Sequence, residues 1–269
     1  MRIGLFGTGR VATALAPALV AAGHELAFVA GRTHTSVLAL AALAPGCAAL
    51  VLPLTQLPPA DVYLLAVPEA AVPELLAAVA WPTGALVAHL AGALPVAVFA
   101  AAPQVHGGVL YPLQTFSPGR TIDWPAVPLF VEAPELAAET TLLALARSLS
   151  LHVAQLDSAQ RLHLHLGAVF ASNFTNHVLG ISHQLLAEAK LDFNLLAPLV
   201  RETVDKALSA HLGPFAVQTG PAARHDAPTL AAHAAALAAH PAWQALYTQL
   251  TLSIQAAEAA RVARPASPA

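Results

Sequence analysis

Through the first 156 residues, short apolar runs alternate with stretches whose apolar positions recur every three or four residues. The runs are Arg2–Phe6, Glu25–Ala30, Ala48–Leu52, Val62–Val67, Ala85–His89, His106–Leu110, Pro128–Glu132 and Leu151–Gln155. Most are apolar throughout rather than alternating, as strands covered on both faces are. Between them the helical period appears at Arg10–Ala22, Thr35–Leu43, Glu69–Ala80 and Pro134–Leu149. Strand and helix in turn predict an α/β fold with a doubly wound parallel sheet. The pattern changes at Asp157, where Gln160 three residues on completes a capping-box signature. Helical stretches then follow at Ser158–Ala189, Asn194–Ala210, Ala227–Ala239 and Ala242–Val262. The expected organisation is a doubly wound domain over residues 1–156, an all-α domain over 157–264 and a disordered tail over 265–269. No Gly/Ser linker marks the boundary, so the halves are expected to pack directly on one another.

Composition narrows this picture. The chain of 269 residues is 57% hydrophobic and 10% charged, with a formal net charge of −3. That balance gives no electrostatic case for nucleic acid or an anionic membrane surface as partner. No Asp, Glu, Lys or Arg occurs between Leu75 and Gly119, which raises the question of a membrane span. Pro82, Gly84, His89, Gly92, Pro95 and Pro103 interrupt that stretch, and a span needs about 20 unbroken apolar residues. One cysteine, Cys47, excludes an internal disulfide and fits a reducing compartment. With strand signals from Arg2 onward and no leader pattern, a cytoplasmic protein is expected. So little charge implies apolar surface hidden in a homodimer, formed through the apolar Leu162–Leu186 stretch.

The segment IGLFGTGRVATAL places Gly7, Gly9 and Ala12 in a G-x-G-x-x-A pattern between an apolar strand and a helix. This is the context of a dinucleotide-binding, Rossmann-like turn. Gly7, Thr8, Gly9, Arg10 and Val11 form the expected pyrophosphate seat, where free helix N–H groups favour anions. The second strand ends in FVAGRTHTS, without the acid that would hold an NAD ribose. Arg32, Thr33 and Ser36 stand there instead and suit a 2′-phosphate, so the expected cofactor is NADP(H).

The oddest stretch is HLHLGAVFASNFTNH, residues 163–177, polar groups set in an apolar helical pattern. At about 100° per residue, Arg161, His165, Ser172, Asn176 and His183 fall on one stripe, with Asn173 and His177 beside it. Such a stripe on a nearly all-round-buried helix is either an active-site wall or a structural network. A reductase needs a proton donor and neutral orienting groups, so His165, Ser172, Asn173 and Asn176 are the catalytic candidates. His163 faces the apolar side and reads as packed or surface-exposed. No second ligand cluster accompanies the histidines, so no metal is expected. In QTGPAARHD, Thr219 and Arg224 are candidate substrate contacts, and Asp226 reads as the N-cap of the next helix. Gln114 and Thr115, in YPLQTFS, are further substrate candidates.

GTGRVA, LLAVPEAAV, HLAGALP, YPLQTFS, LHLGAVFASNFTNH and QTGPAARHD follow one another across nearly the whole chain. Together they resemble a bacterial family of Rossmann-like proteins with a C-terminal helical domain of unknown function. The family lies in the 6-phosphogluconate dehydrogenase-like superfamily, near pyrroline-5-carboxylate reductase and the coenzyme-F420-dependent NADP oxidoreductases. The resemblance implies that Val67 and Pro68 lie along the cofactor and His89 to Gly92 near the nicotinamide. It also implies that the first helix after the Rossmann domain faces the nicotinamide. The lysine-x-x-x-asparagine pair of the β-hydroxyacid dehydrogenases is absent here. Tyr111 and Ala91 stand where the family pattern has His and Ser. The implied activity is NADP(H)-dependent reduction of a small, anionic carbonyl or imine. A non-catalytic NADP-binding sensor or scaffold and a pyrroline-5-carboxylate reductase-type imine reductase are the alternatives.

Overall fold

A computed structural model describes residues 1–54 and 56–263. The tail expected to be disordered lies outside the described residues. The chain divides into two compact units, Met1–Phe174 and Thr175–Ala269.

In the first unit β1 (Arg2–Phe6), α1 (Arg10–Ala21), β2 (Glu25–Gly31), α2 (His34–Ala41), β3 (Ala48–Val51) and β4 (Val62–Leu65) come first. Then follow α3 (Val72–Ala78), β5 (Leu86–His89), β6 (His106–Pro112), β7 (Leu129–Glu132), α4 (Leu136–Leu149), β8 (Val153–Gln155) and α5 (Ser158–Ala168). All eight expected strands form, in one sheet of order β3-β2-β1-β4-β5-β6-β7-β8. The sheet is not parallel throughout, because β7 runs antiparallel to β6. The β6–β7 connection holds only a 3₁₀ turn at Trp124–Ala126. A parallel return needs a crossover, commonly a helix, and without one the strand comes back antiparallel.

Two apolar layers cover the sheet. Ala12, Leu15 and Leu19 of α1, Val37 of α2, and Leu142 and Leu145 of α4 pack on one face. Val72, Leu75 and Leu76 of α3, with Trp81 and Phe99, pack on the other. Strands sandwiched this way have no polar face to show, which explains the unbroken apolar runs. α5 opens with the expected capping box: Asp157 Oδ1 accepts from Gln160 N–H at 2.8 Å, and Gln160 Oε1 accepts from Asp157 N–H at 3.1 Å.

The helix expected over Ser158–Ala189 is not one α-helix. Residues Val169–Phe174 wind as a π-helix, and the units divide at its end. The second unit holds α6 (Thr175–Glu188), α7 (Ala197–Ser209), α8 (Ala227–Ala236) and α9 (Pro241–Ala263). No residue of these four helices is buried, and on α5 only Arg161 is. The expectation of an all-round-buried helix is therefore corrected: its apolar residues are half-buried or exposed here. No helix among the described residues is long and apolar enough to cross a membrane.

Candidate active site

Gly7 holds φ +106, and a Cβ there would run into the Ala66 carbonyl. Only glycine fits this turn. At Gly9 a Cβ would meet nothing within 4 Å, so the space above the turn is open for a ligand. Gly9 caps α1 without a side-chain hydrogen bond, and no acid stands in the first turn. The free N–H groups of Arg10 and Val11 and the helix dipole therefore favour an anion. Ala12 is fully buried and lets α1 lie close to the sheet.

The end of β2 meets this turn. Thr8 Oγ1–H donates to Ser36 Oγ at 3.2 Å, Ser36 also hydrogen-bonds the Thr33 hydroxyl, and Ser36 Oγ–H donates to the Thr33 carbonyl at 3.0 Å. Gly31 permits the approach, since a Cβ there would lie 2.9 Å from Val37 and 3.1 Å from Thr8. Arg32 is exposed beside the cluster. Three hydroxyls and a guanidinium fit a phosphate-bearing nucleotide. Next to them Leu52, Pro53, Leu54, Val67, Ala71, Glu74, Leu75, Ala78 and Val79 line an apolar cavity of about 300 Å³, the right character for an adenine ring. Pro68 is exposed beside Val67.

A second cavity, of about 450 Å³, opens at the C-terminal end of β6. Tyr111, Leu113, Gln114 and Thr115 line it from the strand end, with His165, Ala168, Val169, Ala171, Ser172 and Asn173 from the helix. The Tyr111 hydroxyl lies 3.0 Å from His165 Nδ1, and the rings meet edge to face at 5.9 Å. Burial, reinforced by the Glu69 charge, raises the Tyr111 pKa above its ordinary value, so the phenol keeps its proton at neutral pH. Gly92 makes room for the pair: a Cβ there would lie 2.5 Å from His165 Nδ1.

A π-helix, Val169–Phe174, supplies part of this cavity's wall. Its i→i+5 bonding inserts about one extra residue into the turn, rotating everything beyond by about 100°. Ser172 and Asn173, neighbours in sequence, both line the cavity. Asn176 is exposed in the first turn of α6. His183 stacks edge to face on Phe193 at 5.3 Å, and His177 is exposed. The stripe drawn at constant pitch thus breaks at Val169.

Two further stripe and strand residues take structural places. Arg161 is 1% exposed and ion-pairs with Glu132. It also donates to the Leu94 carbonyl at 2.5 Å. Ser158 N–H and Oγ–H donate to Glu132 at 3.0 and 2.8 Å. This network ties α5 to β7 one turn before His165. His89 is fully buried and stacked on Phe99 at 5.8 Å. Strand alternation turns its side chain to the α3 side of the sheet. Its Nδ1 accepts from Ala91 N–H at 3.2 Å, and burial, with the Arg161 charge, lowers its pKa to about 3.

His163 is exposed, with Nδ1 2.8 Å from the Ala159 carbonyl. Thr219 and Arg224 are exposed in the second unit. Asp226 caps α8, accepting from Thr229 N–H at 3.3 Å and Thr229 Oγ1–H at 2.8 Å. Tyr111 and Glu132 were not among the sequence candidates. Tyr111 stands at a position where the chain departs from the family pattern, and that departure was the available signal. No group of metal-ligating side chains occurs among the described residues.

Sheet, glycine turn and strand-end cavities define a Rossmann-type nucleotide-binding protein with an appended helical region. Family comparison agrees: residues 1–115 match a Rossmann-like domain, and residues 127–254 match a domain of unknown function, DUF2520. The chain belongs to the family that joins these two domains. A Bacteroides fragilis crystal structure, described as a candidate NADP oxidoreductase, is 38% identical over 94% of this chain and 97% of that one, with a TM-score of 0.85. A Thermotoga maritima protein shares the fold at 18% identity and TM-score 0.70, over 96% of this chain and 99% of that one. So does a reductive aminase from Aspergillus terreus, solved with NADPH and ethyl levulinate. It is 18% identical with TM-score 0.67, over 98% of this chain and 94% of that one. No curated protein matches the chain.

Proposed function

We propose that this protein is an NADP(H)-dependent oxidoreductase that reduces a small carbonyl or imine. The observation that carries the reading is the Tyr111–His165 pair on a cavity at the carboxyl edge of the sheet, where open α/β sheets take their ligands. The 38% identical relative, with its NADP oxidoreductase description, supports the same class. Gly7–Val11 would hold the pyrophosphate, Arg32, Thr33 and Ser36 the 2′-phosphate, and the Val67 cavity the adenine. Bound NADPH supplies a hydride.

The protein's own part is the proton. With its proton on Nδ1, His165 donates to the Tyr111 oxygen, leaving the phenol O–H free for the substrate oxygen or nitrogen. As that atom gains charge, Tyr111 gives up its proton and receives one from His165, which regains its own from solvent. The products are an alcohol or amine and oxidised cofactor. Gln114, Thr115, Ser172 and Asn173 orient the substrate as neutral donors and acceptors.

We also infer a homodimer. Leu199, Leu208, Leu212 and Phe215 are 63%, 82%, 90% and 70% exposed, and so much bared apolar surface marks an interface. A second copy supplies the missing cover. A cytoplasmic setting, argued from the lone Cys47, belongs to the same proposal.

The test is NADPH oxidation with neutral ketones, cyclic imines and oxo acids. Turnover of any class in the wild type, lost in Tyr111→Phe, supports the reading. Tight NADPH binding with no turnover across the panel would favour a nucleotide-binding sensor. Turnover confined to five-membered cyclic imino acids would favour the pyrroline-5-carboxylate reductase type.

A further inference from the structure

The β6–β7 connection carries the motif FSPGR, which neither the cofactor turn nor the reductive cavity uses. Its two ends are fixed to α1. Phe116 and Ile122 pack on the apolar layer that holds α1. Phe116 lies tilted against Trp124, ring centroids 5.9 Å apart, and Trp124 Nε1–H donates to the Ala14 carbonyl at 3.3 Å. Between these anchors Ser117–Arg120 makes a tight turn. Pro118 fits its second position, Gly119 holds φ +75 at the third, and Arg120 N–H donates to the Ser117 carbonyl at 3.3 Å. This is the chemistry of a type II turn.

The turn therefore stands over the start of α1, and the two enclose a cavity of about 400 Å³. Thr8, Gly9, Arg10 and Thr13 line one wall, and Ser117 and Arg120 stand on the other. No carboxylate is among the lining residues, and neither arginine forms a salt bridge among the described residues. Two guanidiniums on one cavity repel each other unless an anion joins them.

Resting on the NADP(H) reading, we propose that the Ser117–Arg120 turn is a clamp on the cofactor's pyrophosphate, with Arg120 closing opposite Arg10. The clamp is separate from the Arg32 corner, which meets the 2′-phosphate. Arg120 thus holds what NADPH and NADH share, and Arg32 holds what only NADPH has.

Calorimetric titration of the full-length protein with NADPH and with NADH separates these roles. Arg120→Gln should weaken both nucleotides by the same factor, about tenfold to a hundredfold, the scale of one charge-assisted contact. Arg32→Gln should weaken NADPH alone. Arg120→Lys, which keeps the charge but not the fork, should fall between wild type and Arg120→Gln. Arg120 is exposed, and an unchanged melting temperature will show that the fold persists. Wild-type affinity for both nucleotides in Arg120→Gln overturns the clamp, as does a loss confined to NADPH. Failure of the wild type to bind either nucleotide overturns the cofactor reading and the clamp with it.

Discussion

The two units are built from similarly apolar sequence and end in opposite conditions. In the first, strands such as Val62–Leu65 are wholly buried between two apolar layers. In the second, α6, α7, α8 and α9 hold no fully buried residue, and Leu208 and Leu212 are almost bare. Hydrophobicity in the sequence does not by itself say where the cover comes from. A sheet gives each apolar run a neighbour on either side and a helix layer on each face, so one chain closes its own core. The helices of the second unit present apolar faces that one chain leaves open.

The contrast can be broken by removing a brace from the first unit. Arg161→Met leaves Glu132 charged and enclosed, and losing one partner of a buried pair costs about 3–5 kcal/mol. The melting temperature should fall sharply, while the paired replacement of Arg161 by Met and Glu132 by Leu should recover much of the loss. A small shift in the single variant would mean that the network is not a brace.

Chemistry should respond as strongly with little change in stability. Tyr111→Phe should lower turnover by about 10²- to 10⁴-fold, while nucleotide affinity stays near wild type. The lost hydrogen bond costs about 1 kcal/mol in a melt. Near-normal turnover in this variant would remove Tyr111 from the proton path.

Acid should act on the first unit through His89. Its pKa is lowered in the folded protein from 6.5 to about 3, so the unfolded chain takes up the proton first as pH falls. Stability from this group is full above about pH 6.5 and is lost below it, by about 1.4 kcal/mol per pH unit until about pH 3. The Tyr111 shift has the opposite consequence: its pKa is raised, so its stability is present below about pH 10 and lost as pH rises beyond that. Denaturant melts between pH 6.5 and 4.5 should show the acid slope, reduced in His89→Gln. An unchanged slope in the variant would rule His89 out as its cause.

The second unit should respond through assembly. Replacing Leu199 and Leu208 by Asp should convert the proposed dimer to monomer in light scattering. A wild-type protein that is monomeric at micromolar concentration would show that its helices need no second copy.

The smallest effect sharpens the boundary between the units. Asn173→Ala should lower turnover by about 10²-fold, as loss of one positioned group does, and Asn176→Ala should stay within about 0.5 kcal/mol of wild type in stability and turnover. Equal effects would mean that the π-helix does not divide their roles.

All eight strands, the glycine turn and the Asp157 cap were legible in the sequence, because each rests on local chemistry. An apolar run needs two covers, φ +106 needs glycine, and an open helix start draws a capping acid. The antiparallel β7 was decided by a connection that lacks a crossover helix, a fact about the path between strands rather than about either strand. The Tyr111–His165 pair joins residues 54 apart in sequence, which no local pattern can report. The π-helix at Val169–Phe174 was equally hidden: a wheel drawn at constant pitch cannot register one inserted residue. Ser172 and Asn173 line the cavity, and Asn176 is exposed in the first turn of α6. Local propensity determined the elements, and three-dimensional placement alone decided which side chains meet.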